Sequence, residues 1–327
     1  MSNINYSIII PHKNVPQLLQ RCLDSIPIRD DVQVIVVDDN SDTEKVDFNN
    51  FPKWNGKNYE YHLTKEGKGA GYARNVGIKH AIGKWLLFAD ADDEYSTANL
   101  AKLLDVQKDK YDVICWPTEI KNQDGTTEPY TMSWRYGKET FNSIFEGQYK
   151  IYDNYLPDIL FVLYAPWQKM VRRDIVTQHK LSFSEIPACN DIFFSISLAT
   201  TTTNIGVYSD ITYTYIKRSD SISVVNIYKR NETQRLEFHL KELFKVQRIL
   251  NELNKNRYLE VELGYVFDLF EKISIKKTLL FCLIQMKEVS PAIGFKSLKR
   301  YMTYHNSKIL FSSFFNRFFE KKANTIQ

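Results

Sequence analysis

The chain has 327 residues, with 43 basic against 39 acidic side chains and a net charge of +4. Hydrophobic content of 43% and charged content of 25% exclude disorder for most of it. The longest unbroken apolar run, Ile159 to Ala165, is far short of a spanning helix, and the N-terminal residues lack the basic-then-apolar pattern of a secretory leader.

The first hundred residues alternate between two hydrophobic periods. Tyr6 to Pro11 is a β-branched run without polar alternation, as in a buried parallel strand. Pro16 opens a helix with Leu18, Leu19, Cys22, Leu23 and Ile26 on one face. Gln33 to Val37 is a second strand and Tyr59 to Leu63 a weaker third. Gly69 to Ala81 reads as a helix carrying Arg74 and Asn75. Lys84 to Ala89 is a fourth strand, Thr97 caps a helix running to about Val106, and Tyr111 to Trp116 is a fifth strand. Strand and helix in alternation predict an α/β fold: a mostly parallel sheet with flanking helices.

In such sheets ligands bind beyond the carboxyl ends of the strands. The polar clusters fall there: His12-Lys13-Asn14, Asp38-Asp39 and Asp90-Ala91-Asp92-Asp93. Three carboxylates in four residues repel one another unless a cation joins them. Oxygen ligands alone favour Mg²⁺ or Mn²⁺, and such an ion makes a diphosphate a better leaving group. The competing reading is a solvated turn that starts the following helix. Neither Gly-x-Gly-x-x-Gly after the first strand nor a Walker motif occurs, so a dinucleotide cofactor is not expected. Cys22, Cys115, Cys189 and Cys282 are too scattered for a zinc site or a disulfide framework and read as reduced thiols of a cytoplasmic protein.

Four segments in order, Pro11-His12-Lys13-Asn14, Val36-Val37-Asp38-Asp39-Asn40-Ser41, Gly71-x-Ala73-Arg74-Asn75-x-Gly77 and Phe88-Ala89-Asp90-Ala91-Asp92-Asp93, resemble the family 2 glycosyltransferases. The resemblance implies a GT-A-like fold and a nucleotide-sugar donor, UDP-linked by expectation. It puts Pro11, Lys13, Asn14, Asp39, Arg74, Asp90, Ala91 and Asp92 at the donor, with Asp39 on the uracil or ribose and Arg74 near the base and diphosphate. Asp92 or Asp93 would meet Mn²⁺ or Mg²⁺. Lys13 stands where the family usually has an aromatic residue, and can pair with phosphate or cover the base with its stem.

Further along, Trp167-Gln168-Lys169 resembles the family's Trp-x-Lys helix region, and Asn190-Asp191-x-Phe193-Phe194 its Glu-Asp-x-x-Phe segment with Asn for Glu. The resemblance makes Asp191 the general base that takes the proton of the acceptor hydroxyl; an N-cap for the helix Ile192 to Ala199 is a compatible second role. Trp167, Lys169 and Asn190 are assigned to the acceptor or diphosphate, with Trp167 equally suited to a core. Tyr213-x-Tyr215-x-Lys217-Arg218-x-x-Ser221 resembles the segment that closes over the donor, where Lys217 or Arg218 would neutralise diphosphate or simply mark an exposed strand end.

From about Asn231 the periodicity turns helical. Residues 272–327 carry a net charge of +9 and a helix face of Phe311, Phe314, Phe315, Phe318 and Phe319, whereas residues 1–271 carry −5. A basic, Phe-faced helix suits an anionic membrane surface, or equally a dock on the protein's own core or a second subunit. The expected organisation is a catalytic domain over 1–225, with a nucleotide-sugar half (1–116) and an acceptor half (117–225), then a helical region over 226–327. The expected activity is metal-dependent, inverting transfer of a sugar to a glycan or lipid-linked acceptor in surface polysaccharide synthesis. The chain would work in the cytoplasm or at the inner face of the cell membrane, without nucleic acid. The rivals are a degenerate scaffold of the same fold and a sugar-phosphate nucleotidyltransferase.

Overall fold

The computed structural model describes residues 3–106, 108–130, 152–153, 159–161, 163–186 and 189–218, with scattered positions between 242 and 253. Two compact units divide the chain, residues 1–258 and 259–327. All described residues belong to the first. The Phe-rich basic segment, Ser221 and Cys282 lie outside the described residues, as does most of the expected C-terminal helical region.

Strands β1 (Tyr6–His12), β2 (Val32–Asp39), β3 (Asn58–Thr64) and β4 (Trp85–Phe88) run parallel, in the order β3-β2-β1-β4. Both faces of β1 and β2 are buried along their whole length, which is why their sequences show no polar alternation. Helices α1 (Pro16–Asp24), α2 (Ala70–His80) and α3 (Thr97–Asp105) complete the crossovers. α1 buries Leu19, Cys22 and Leu23, while α2 buries a face of small residues around Arg74. Gly77 sets that approach: a Cβ there would stand 2.4 Å from the Ile9 side chain on β1. The expected cap at Thr97 is displaced by one residue. Ser96 is the N-cap, and the Thr97 hydroxyl instead donates to the Ser25 carbonyl at 2.8 Å, tying α3 to the end of α1.

Beyond β4 the strand order departs from chain order. β10 (Lys169–Arg172) lies antiparallel between β4 and β6 (Val113–Cys115), followed by β11 (Ile205–Val207) and β9 (Tyr152–Asp153). A second sheet joins β5 (Glu94–Tyr95), β12 (Tyr213–Ile216), β7 (Thr118–Lys121) and β8 (Thr127–Pro129) in that order. Its members are two to four residues long, too short for a period to be read from sequence. Helices α4 (Arg173–Gln178) and α5 (Ile192–Ala199) follow later in the chain, the first directly after β10. Cys22 and Cys115 are buried thiols. No helix among the described residues is long and apolar enough to cross a membrane.

Candidate active site

The site forms where β1, β2 and β4 end. Adjacent residues on a strand point to opposite faces, so Asp38 and Asp39 cannot share a role. Asp38 turns inward. It accepts from the His12 Nδ1 at 2.7 Å, from the Ser41 backbone N–H at 2.8 Å and from the Ser41 hydroxyl at 2.6 Å. The Val15 N–H donates to His12 Nε2 at 3.2 Å, which puts the imidazole proton on Nδ1, facing Asp38. These hydrogen bonds hold the Asp38 carboxyl below the usual carboxylate range against the opposing effect of burial. Asn14 closes the frame, its N–H reaching the Ser41 hydroxyl and its side-chain oxygen the Asp42 N–H. No motif in the sequence announces this His12–Asp38–Ser41 brace. The alternation of two neighbouring aspartates on a fully buried strand was the available signal.

Asp39 turns the other way. One carboxylate oxygen accepts from the Gly69 N–H at 2.8 Å, just ahead of α2, and from Lys13 Nζ at 3.4 Å. The other oxygen is buried and has no hydrogen-bond partner. A buried carboxylate oxygen without a donor is costly, and a ligand N–H or O–H removes that cost. Lys13 is half exposed above it.

Arg74 links the two sides of the site. Its guanidinium is buried and donates to Asp90 at 2.5 Å and to the Asn190 side-chain oxygen at 2.7 Å, over the Phe183 ring. Gly71, one turn before it, permits this contact: a Cβ would come within 2.1 Å of the Ser184 carbonyl oxygen. Asn190 is therefore a partner of Arg74, its neutral amide oxygen accepting from the guanidinium. Asp191 follows immediately. It is the N-cap residue of α5 by position, yet its side chain makes no capping hydrogen bond. Burial pushes its carboxyl above the usual range, opposed by the charges of Arg74 and Lys169.

The three carboxylates after β4 divide in the same way. Asp93 is fully buried; Tyr213 donates its hydroxyl to it at 3.0 Å and the Ile216 N–H reaches it at 2.8 Å. Tyr213 also accepts from the Asp90 N–H at 2.9 Å, so one phenol fixes the whole turn to the second sheet. Asp92 is part-exposed and pairs with Arg218 at 2.7 Å. Burial and the neighbouring Asp90 push the Asp92 carboxyl up, and burial with the neighbouring Asp92 pushes the Asp93 carboxyl well above the usual carboxylate range. Two guanidinium groups face the three carboxylates of this turn, Arg74 at Asp90 and Arg218 at Asp92. The turn's all-oxygen donors fit a hard divalent cation, with Asp90 and Asp92 part-exposed and Asp93 buried. Pro11 and Ala91 line the backbone of the same strand ends and are buried.

Three expected contacts are placed elsewhere. Trp167 is buried in an aromatic cluster, stacked on Tyr213 at 4.9 Å and edge-on to Tyr130 at 5.0 Å, so its ring is core. Trp167 and Lys169 sit on a 3₁₀ turn and a strand instead of a helix. Lys169 is fully buried, with Nζ on the carbonyls of Leu163 (2.6 Å) and Ala165 (2.8 Å), and burial lowers its amine to about 8. Closing that turn occupies the amine that was expected on diphosphate. Lys217, just past the end of β12, leans onto the β7–β8 hairpin, toward Asn122 and Glu128, while its neighbour Arg218 meets Asp92.

The profile of glycosyl transferase family 2 matches residues 7–178, more than half of the chain. The protein belongs to this family. A family 2 relative, the poly(ribitol-phosphate) beta-glucosyltransferase of Bacillus spizizenii, is 29% identical over 223 residues, 65% of this chain and 32% of that protein. The minor teichoic acid biosynthesis protein GgaB of Bacillus subtilis is 29% identical over 123 residues, 35% of this chain and 14% of that protein. The chain thus spans a third or less of these curated relatives. The crystal structure of S. aureus TarS residues 1–349 superposes with a TM-score of 0.58 at 18% identity, covering 93% of this chain and 91% of that one. The same protein in complex with UDP-GlcNAc gives 0.57 at 20% identity. The likeness shows the fold: a GT-A arrangement with a large, mostly parallel sheet and flanking helices.

Proposed function

We propose that this family 2 glycosyltransferase moves a sugar from a UDP-linked donor to a hydroxyl of a cell-surface polysaccharide or its lipid-linked precursor, with inversion. The observation that carries the reading is the unpartnered, buried oxygen of Asp39 at the end of β2. It stands ready for the imide N–H of uracil or a ribose hydroxyl, while its other oxygen is already held by the Gly69 N–H. The teichoic-acid relatives support a polyol or sugar hydroxyl as acceptor, and the UDP-GlcNAc complex of TarS supports a UDP-sugar.

Asp92 is the proposed metal ligand, because Asp93 has both oxygens engaged by Tyr213 and Ile216. A divalent cation bound there supplies charge to the diphosphate and makes it a better leaving group. Arg74 holds Asp90 in register with the acceptor side, and Arg218 lies close enough to meet phosphate oxygens. Asp191 takes the proton of the acceptor hydroxyl as that oxygen bonds to the anomeric carbon. The bond from that carbon to the diphosphate oxygen breaks on the opposite face, and the nucleoside diphosphate leaves. A single displacement inverts the anomeric centre.

Titration calorimetry with UDP and Mn²⁺ tests the donor assignment. Asp39→Ala should weaken UDP binding by about 10- to 100-fold, the value of a hydrogen bond to a charged group. Equal affinity in the variant and the parent chain would remove Asp39 from the donor site. A parent chain that binds neither UDP nor any UDP-sugar would leave a scaffold as the better reading.

A further inference from the structure

On the opposite side of β2 from the brace described above, at the edge of the large sheet, Glu60, His62 and His80 come together. Their ligand atoms all lie within 4.8 Å of one another. Glu60 and His62 are two residues apart on β3 and so share one face of the edge strand. His80 is the last residue of α2 and is exposed. The His62 and His80 rings stack with centroids 3.7 Å apart, and His62 Nε2 lies 2.9 Å from Glu60 Oε2.

Buried Gln33 organises the cluster from beneath. Its side-chain oxygen accepts from the Ser7 hydroxyl at 2.5 Å and from the Ile82 N–H at 3.0 Å, which fixes the amide orientation. Its NH₂ group then donates to Glu60 Oε1 and to the His80 carbonyl at 3.2 Å. One buried amide thus holds a carboxylate from β3 and the backbone of the residue that ends α2. Glu60 Oε2 is left to face the imidazoles. Polar groups that orient a metal-binding carboxylate in this way typically change ion affinity about 10- to 100-fold. None of these residues takes part in the donor or acceptor chemistry.

We propose that Glu60, His62 and His80 form a site for a borderline divalent transition ion of the zinc class, which clips edge strand β3 to the end of α2. Two imidazoles and one carboxylate are a ligand set typical of Zn²⁺ with a fourth position open to water. They are unsuited to Mg²⁺ or Ca²⁺, which take oxygen ligands. Tetrahedral coordination puts ligand atoms about 3.3 Å apart, so modest side-chain rotation closes the observed spread. The location favours a cation on a second ground: the terminal carbonyls of α2 present the negative end of the helix dipole. All three side chains are at least partly accessible, which provides an entry path.

The test is titration of Zn²⁺ into the full chain carrying Asp92→Asn, which removes the donor-side ligand, above about pH 7 where imidazole is neutral. Saturable binding of one ion is expected, with a rise in unfolding temperature. His80→Ala, at an exposed position, should abolish both effects and leave Mn²⁺-supported transfer by the otherwise native chain unchanged. Glu60→Gln provides a second variant and should weaken binding. No saturable Zn²⁺ binding in the Asp92→Asn chain would overturn the proposal. So would undiminished binding in His80→Ala and His62→Ala, which would leave the cluster as a histidine–carboxylate pair without an ion.

Discussion

The proposed donor side and the proposed acceptor side of this molecule are built on different principles. On the proposed donor side, residues 6–93, each polar cluster lies at or just past the end of a parallel strand, and neighbouring backbone N–H groups or side chains fix its direction. On the acceptor side, residues 113–218, the strands pair out of chain order and the functional segments arrive from separate layers. In the first region Asp39 stands at the end of β2, and Arg74 on α2 reaches Asp90 in the turn after β4. In the second, Trp167 and Lys169 are interior and Lys217 turns to the hairpin, whereas Asn190 meets Arg74 and Arg218 meets Asp92. A strand end in a parallel sheet aims a side chain by itself; a residue in the mixed part of the sheet is aimed by whatever packs beside it.

The largest effect expected from breaking this division is at Asp191. Asp191→Asn should lower the rate of transfer by about 10²- to 10⁴-fold while nucleotide-sugar affinity stays nearly intact. Parallel loss of rate and affinity would return Asp191 to a structural role. The parent chain adds a pH signature. A base must be ionised, and burial raises this carboxyl. Activity should therefore fall, as pH drops, at a value above the ordinary carboxylate range of about 4.

Trp167 tests the interior assignment from the other direction. Removing a buried tryptophan costs about 3–5 kcal/mol of stability. Trp167→Ala should shift the denaturant midpoint by a matching amount, while the folded fraction keeps its KM for acceptor. A stable variant with a raised acceptor KM would move the ring back into the cleft.

Lys169 makes a smaller and more specific prediction. Burial lowers its amine to about 8 from 10.5. Between those values the unfolded chain holds a proton that the folded chain lacks, so stability should rise with pH from about 8 upward. Lys108, also lowered to about 8, contributes in the same sense. The difference between the parent chain and Lys169→Met isolates the Lys169 share, and an identical pH slope in both would place the amine in solvent. The smallest effect belongs to Lys217. Lys217→Ala should change stability by no more than about 0.5 kcal/mol and leave UDP affinity unaltered, because its partners lie on the exposed hairpin. A clear loss of UDP affinity would restore it to the diphosphate.

What could be read in advance followed from local rules. The periods of Tyr6–Pro11, Gln33–Val37 and Lys84–Ala89 announce buried strands, and a parallel sheet places their polar successors at the ligand edge. That was enough for the fold class and, through the matching segments, the family, and it nominated the candidate donor residues. The short strands of the second sheet carry no period. Neither does the decision that Tyr213 should hold Asp93 and the Asp90 N–H, a contact across about 120 residues of chain. Which of two adjacent aspartates braces the loop and which keeps a free oxygen follows from strand alternation only once the faces of β2 are known. The sequence by itself determined where chemistry collects, because hydrophobic period and strand polarity are local. The tertiary structure alone decided which side chains perform it, because burial, pairing order and the neighbours that supply or consume hydrogen bonds come from residues far apart in the chain.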